Sequence, residues 1–457
     1  MPTIVFVDTD LSVVTDRSGQ TRIGREEIGA QLVAACVEQF AGWSVRYVRQ
    51  DTAQVEQIIS AVKAGDCDAV ALFPYSYTKS LADRVAENFK GKVPIIYGGY
   101  HAGVGRMAKV VFEEGRADFV VKGRGERALP QLLDDISAGS AKRGVVQVRE
   151  LSGGCQSPYP LDDLPWPLRF EEFMARFTKN EILFAPPETL IKNPTKRITI
   201  AGSFGCDGRC DYCSSWIMSP KTLHRSPTNI VDEMCALDKR FGPGLVYIIA
   251  NPLFNADRGW VMELCQQMEK RGPFPAFCLP DFNLDREMVQ AMKRAGIFMA
   301  MMGLEFARTD VRTERGKRPG NPELAYGLCD EAGILTRAYF MIGGLGMTAT
   351  DVEAEKQALE SLPFRADQLR VSFEVPFPGT VTANRLNPGD TITGYDDYTT
   401  DKVIYKTGMD QKQWDRARQE IVSEYHSADK QKRHYADKIR RHPELEKSIL
   451  GFLDRIE

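Results

Sequence analysis

The chain has 457 residues, with 59 Lys plus Arg against 62 Asp plus Glu, and its net charge of -3 offers no general electrostatic footprint for nucleic acid. That length exceeds one ordinary core, so two or three domains are expected. The opening MPTIVFVDTDLS has an apolar run too short for a signal-peptide core, and no later stretch is apolar for long enough to span a bilayer. Most of the 10 Cys are isolated in apolar segments, as reduced core residues are, and a cytoplasmic protein is expected.

Residues 1 to about 145 alternate short apolar runs with helical patterns, the form of a parallel sheet covered on both faces. Strands are predicted at Thr3 to Val7, Ser44 to Val48, Ala69 to Phe73, Pro94 to Tyr97 and Phe119 to Val121. Val55, Ile58, Ile59 and Val62 recur at helical spacing, with Gly65 where a C-cap falls. Ile28, Leu32, Val33, Cys36, Val37 and Phe40 make a second apolar stripe, so a loop of residues 8 to 24 leads into a helix. The pattern predicts a flavodoxin-like, doubly wound domain.

Residues 146 to about 190 collect Pro158, Pro160, Pro165, Pro167, Pro186 and Pro187, which predicts an extended connector lying over the surface. A second alternating series follows, with strands at Arg197 to Ala201, Leu245 to Ile249, Ala276 to Leu279, Phe298 to Gly303, Arg337 to Ile342 and Leu369 to Phe373. Helical patterns near 227 to 240, 259 to 271, 284 to 295, 322 to 333 and 350 to 362 separate them. Six parallel strands with right-handed crossovers fit a partial barrel over residues 191 to 390, whose chemistry belongs at the strand C-termini. From about 391 to 457 the chain turns charged and helical, which predicts a C-terminal cap on the barrel, and KQKRHYADKIRR reads as a solvated helix face or a docking patch for an electron donor.

Directly after the first strand of the second series stands SFGCDGRCDYCSSW, with Cys206, Cys210 and Cys213 in one short loop. Three thiolates there can hold three irons of a cubane and leave the fourth open. Structural zinc is the competitor, but it wants four ligands, and neither a second CxxC pair nor an HxxxH element is nearby.

CxxxCxxC with an aromatic residue, Tyr212, before the last Cys closely resembles the signature of the radical S-adenosylmethionine (SAM) superfamily. The resemblance extends over residues 197 to 380, through RSPTNIVDEM, GLEFA, FMIGGLGMTATDVEAE and VPFPGT. It implies a [4Fe-4S] cluster whose open iron chelates SAM, reductive cleavage to a 5'-deoxyadenosyl radical, and an electron donor such as flavodoxin or ferredoxin. It also implies that Glu305 and Arg337 face SAM along with Tyr212, while Gly343 and Gly344 permit close backbone approach. Asn251 and Asn255 fit a polar lining or a turn equally, and Met299, Met301 and Met302 read as barrel packing.

The first region is similar to the cobalamin-binding domain that precedes the barrel in one branch of that superfamily. Tyr75, Ser76 and Tyr77 follow the third strand; Gly98, Gly99, Tyr100 and His101 the fourth; Gly123, Gly125 and Glu126 the fifth. All lie at the sheet edge where doubly wound folds bind ligands. Many cobalamin domains place a cobalt-ligating His after their first strand, but residues 8 to 25 contain none, and His101 is not assigned that role. The resemblance implies methyl transfer from methylcobalamin to an unactivated carbon, or less often phosphorus, of a small molecule or peptide. The alternative is a radical cyclisation, rearrangement or bond-forming reaction with cobalamin as helper or with a degenerate cobalamin domain. RNA methylthiolation would call for an N-terminal Cys triad and a basic C-terminal β domain, and a cobalamin carrier gives the Cys loop no purpose.

Overall fold

The computed structural model describes residues 1–8, 13–15, 21–23, 28–49, 55–104, 106–147, 160–169, 175–176, 184–387, 389–391, 394 and 397–456. Six parallel strands form the first sheet: β1 (Thr3–Asp8), β2 (Ser44–Arg49), β3 (Ala69–Leu72), β4 (Ile95–Tyr97), β5 (Phe119–Val121) and β6 (Gly144–Val146), in the order β2-β1-β3-β4-β5-β6. That is the flavodoxin-like order extended by one strand. Alternation sends Val5, Val7, Val70 and Leu72 into one apolar cluster and Ile4, Phe6, Ala69 and Ala71 into another, so helices cover both faces. Pro94 and Phe73 fall just outside their predicted strands, and β6, three residues at the sheet edge, is an addition to the predicted five. The predicted loop of residues 8 to 24 lies mostly outside the described residues, which include the short antiparallel pair Val13–Thr15 and Thr21–Ile23.

The second sheet runs β7 (Lys196–Ile200), β8 (Leu245–Ile249), β9 (Ala276–Cys278), β10 (Ile297–Glu305), β11 (Leu335–Ile342) and β12 (Gln368–Phe373), each parallel to the next. The short strand Ala175–Arg176 flanks β7 antiparallel, and β12 does not pair back to β7, so the sheet is an open half-barrel. Its helices begin where the sequence signals them. Ser226, Asp257, Asp285, Asn321 and Thr348 each accept a backbone N–H three residues on, opening Pro227–Phe241, Arg258–Arg271, Arg286–Arg294, Pro322–Glu331 and Ala349–Glu360. Each such cap contributes about 1 kcal/mol.

Two apolar layers sandwich this sheet. Ile198, Ile200, Ala300, Met302, Ala338 and Phe340 pack outward under the helices. Val246, Phe277, Met299, Met301 and Leu335 face inward and meet Phe184, Tyr435, Ile449 and Phe452. The C-terminal helices Ala428–Arg441 and Glu446–Ile456 therefore close the barrel from below, at the strand N-termini. The charged stretch 430–441, which lies within the first of them, is not a uniform solvated face, because Gln431, Tyr435 and Lys438 are buried and Arg441 pairs with Asp330 and Asp437. The connector also differs from the prediction. Pro158 lies outside the described residues, but Leu161, Leu164, Arg169 and Phe184 are buried, and Arg169 donates to Glu233 at 2.7 Å. An apolar or charged side chain inside a Pro-rich stretch still buries when a core or a carboxylate lies beneath it.

Candidate functional site

Parallel strands put their C-terminal loops on one edge, and the candidate residues of each domain collect there. In the half-barrel, β7 runs into a hairpin of Ser203–Phe204 and Leu223–His224, whose connecting loop carries Cys206, Cys210 and Cys213. The loop is pinched at its base. Gly205 has φ +76°, and a Cβ there would stand 2.2 Å from the Lys221 carbonyl oxygen. Cys206 N–H donates to Ser219 O at 3.1 Å, and Trp216 Nε1 donates to Cys210 O at 2.9 Å.

The cysteine loop is also stapled to the rest of the mouth. Asp211 accepts Arg315 Nε at 2.8 and 2.9 Å, and the same guanidinium forks onto Glu374 at 3.0 and 2.8 Å. Tyr405 donates to Glu374 at 3.2 Å, and Thr382 N–H donates to Asp211 O at 3.1 Å. Burial opposes the charge of Arg315, yet Glu374 and Asp211 outweigh it and its pKa is raised. None of Asp211, Arg315 or Glu374 is marked by sequence pattern, because the partners lie 104 and 59 residues apart.

All three cysteines are free and half-buried, and burial pushes the Cys206 and Cys210 thiols up. Among the described residues no three His, Cys, Asp or Glu side chains converge on one ion. A cubane spreads its thiolates one to an iron, and three soft donors in one loop fit that group. The Tyr212 hydroxyl is buried beside the Cys210 thiol, and burial raises its pKa, so it stays neutral.

Glu305 ends β10 in the left-handed region at φ +61°, the one non-glycine residue there among the described residues. A β-bulge between Gly303 and Glu305 sets it, and such strain persists where the surroundings over-determine it, often at functional sites. Its carboxylate meets Lys317 Nζ at 3.3 Å. Asn251, just past β8, has both amide atoms buried without a partner, an arrangement native interiors rarely leave unused. Asn255 is instead a turn residue, bonded to Asp281 and Asn283.

Arg337 and the glycine pair are placed differently. Arg337 sits near the start of β11, on Gln368 at 2.5 Å, roughly 17 Å of strand below the mouth. The close approach allowed by Gly343 and Gly344 is to the chain itself. A Cβ on Gly343 would stand 3.0 Å from Val403, and one on Gly344 2.5 Å from Glu374.

At the edge of the first sheet, Tyr75 stacks on Tyr77 at 5.5 Å and on Tyr100 at 6.0 Å, forming a three-ring platform. His101 is buried, with Nδ1 at 3.1 Å from Ser76 Oγ. Burial, then the nearby Lys79 charge, lowers its pKa to about 4. Gly98 follows β4, and Gly99 opens the turn after it. Gly123 has φ +78° with open space over its Cα, while Gly125 packs on Val33. Glu126 is buried, pairs with Arg124 at 3.2 Å, and has its second oxygen unpartnered. Bare backbone beside flat rings fits a large planar ligand with a polar tail.

The two edges face each other. Arg124 lies 5.1 Å over the Phe204 ring, and a Cβ on Gly379 would stand 2.6 Å from Val104. Leu32, Cys36, Leu161, Leu164, Phe204 and Leu223 share one apolar seam across the two domains.

Residues 200–358 match the family described as Radical SAM superfamily, and residues 25–133 match the B12 binding domain. An uncharacterized methyltransferase of Pyrococcus horikoshii is 22% identical over 339 residues, 71% of this chain and 70% of that protein. The structure is similar to that of TsrM from Kitasatospora setae, a radical S-adenosylmethionine methyltransferase solved with cobalamin and a [4Fe-4S] cluster. The TM-score is 0.62 at 17% identity, over 84% of this chain and 74% of that one. It is also similar to OxsB, a cobalamin-dependent S-adenosylmethionine radical enzyme solved with aqua-cobalamin and S-adenosylmethionine. There the TM-score is 0.56 at 15% identity, over 93% of this chain and 56% of that one, so the chain spans little more than half of OxsB. At these identities the likeness is one of fold. Among the described residues no helix is long and apolar enough to cross a membrane.

Proposed function

The chain is a radical SAM enzyme with a B12-binding domain ahead of its barrel, and we propose that it transfers a methyl group to an unactivated carbon, or less often phosphorus, of a small molecule or peptide. The observation that carries this reading is the meeting of the two sheet edges, with Arg124 on Phe204 and Val104 against Gly379. A substrate held at that junction lies between both cofactor sites at once, which is what a two-cofactor reaction requires of a scaffold.

In this reading residues 1–145 bind cobalamin, 146–190 connect, 191–390 form the barrel and 391–457 the C-terminal helical segment. Cys206, Cys210 and Cys213 hold a [4Fe-4S] cluster. Glu305, Tyr212 and Asn251 offer polar groups to SAM, while the tyrosine platform, His101, Gly123 and Glu126 line the cobalamin side. The chemistry supplied by the bound groups is a 5'-deoxyadenosyl radical from SAM at the cluster and a methyl group carried by cobalamin. The chain's own part is to fix the cysteine loop through Arg315, exclude water with the apolar seam and orient the substrate. A reduced flavodoxin or ferredoxin is the donor that suits a one-electron site, and a cytoplasmic setting suits the free cysteines among the described residues.

The test is a turnover with methyl-labelled SAM, reconstituted cluster, cobalamin and reductant. Each labelled product should accompany one S-adenosylhomocysteine and one 5'-deoxyadenosine, because the methyl group and the radical come from different SAM molecules. Substrate-dependent 5'-deoxyadenosine with neither S-adenosylhomocysteine nor label in the product would favour cyclisation or another bond-forming reaction instead.

A further inference from the structure

Lys317 and Glu305 form an ion pair with each side chain 15% exposed. Withdrawing an ammonium this far from water is costly, and such a pair seldom contributes net stability, so its position invites a functional account. The segment that carries Lys317 is packed directly on the cysteine loop. A Cβ on Gly316 would stand 2.5 Å from the Arg209 carbonyl oxygen and 3.7 Å from Cys210 Cα, and Asp211 N–H donates to Arg315 O at 3.0 Å. On the other side Gly303 leaves room for the pair, since a Cβ there would stand 2.2 Å from Glu305 Oε1 and 2.7 Å from Lys317 Nζ. Lys317 is thus wedged between the end of β10 and the cysteines.

We propose that Lys317 is the counter-charge of the iron-sulfur cluster, a positioning residue that raises its reduction potential. The proposal rests on the assignment of the cluster to Cys206, Cys210 and Cys213. In the step concerned, an external one-electron donor is oxidised by one electron and the cluster passes from the 2+ to the 1+ core, with no bond made or broken and no proton moved. The site gains one negative charge in a partly desolvated place, and a fixed cation beside it stabilises the reduced form more than the oxidised.

The experiment is an anaerobic redox titration of the reconstituted full chain without SAM, reading the reduced cluster by electron paramagnetic resonance (EPR). Wild type is compared with Lys317→Met, Lys317→Arg and the double variant Glu305→Gln with Lys317→Met. All four should hold the same iron. At the potential where wild type is half reduced, Lys317→Met and the double variant should show a reduced-to-oxidised ratio about tenfold lower, 59 mV for one electron. Lys317→Arg should stay near wild type. An unchanged ratio in Lys317→Met overturns the proposal, as does an unchanged double variant, which would assign the effect to an unpaired Glu305. A Lys317 variant without iron would make the residue structural and overturn it as well. Wild type without iron is a different result and removes the cluster assignment itself.

Discussion

At the scale of single residues the cysteines divide by surroundings rather than by type. Cys36, Cys265 and Cys329 are buried in apolar contact and pushed up to about 12 chiefly by desolvation, and Cys278 is raised well above the ordinary value for the same reason. Replacing Cys206, Cys210 and Cys213 together with Ala should abolish the brown iron-sulfur absorbance and reductive SAM cleavage, since thiolates are the cluster's protein ligands. Single changes at Cys36, Cys67, Cys235, Cys265, Cys278 or Cys329 should leave iron content intact. Full iron in the triple variant would refute the assignment. The cysteine motif is readable in sequence because its spacing is local. Glu305 is readable only through resemblance, and its strained backbone is not, because the bulge that produces it depends on the register with β11. Lys317 and the Asp211–Arg315–Glu374 fork are invisible for a related reason, since their partners come together only in the folded chain.

At the scale of elements, one buried network fixes the C-terminal helices under the barrel. Asp367, just before β12, accepts Lys438 Nζ at 2.5 Å, His434 Nε2 at 2.8 Å and Thr336 N–H at 2.7 Å. Burial alone would raise this carboxyl, but Lys438 and His434 outweigh it and hold it well below the usual carboxylate range. A carboxylate depressed in the folded state adds stability above its unfolded pKa, about 3.9, and loses it as pH falls toward the folded value. Lys438→Met should cost about 3–5 kcal/mol at neutral pH, because it leaves a buried charge without its main partner. A denaturant midpoint, with hydrogen exchange on Ala428–Arg441, checks this, and a change under about 1 kcal/mol would count against it. Long, periodic elements such as β8 and the helix Pro227–Phe241 were legible from sequence. The edge strand β6 was not, since three half-exposed residues carry too little alternation. Sequence pointed to a helical C-terminal cap but not to the end of the barrel it closes, because Asp367 and Lys438 are 71 residues apart.

At the scale of the whole molecule, the five histidines decide what can reach the lower face of a bound corrin. His426, His434 and His442 all belong to the bottom of the barrel, bonded to Leu369, Asp367 and Asp330. His224 lies on the other domain, packed against Trp260 at 4.7 Å. His101 alone stands at the edge of the first sheet, yet it is 1% exposed and held by Ser76. No histidine occurs in residues 8 to 25, where a cobalt-ligating imidazole would be expected in many cobalamin domains. Cobalamin bound here should therefore have no protein imidazole below cobalt, leaving that face to the tyrosine platform or solvent. The check is EPR of the cob(II)alamin form on the reconstituted chain, which should lack strong axial nitrogen splitting. If splitting appears, His101→Gln identifies its source. Loss of the splitting in that variant would mean that the loop of residues 98–103 opens to release His101, and persistence would trace it to the cofactor's own base; either result would overturn the expectation of an axial position without nitrogen.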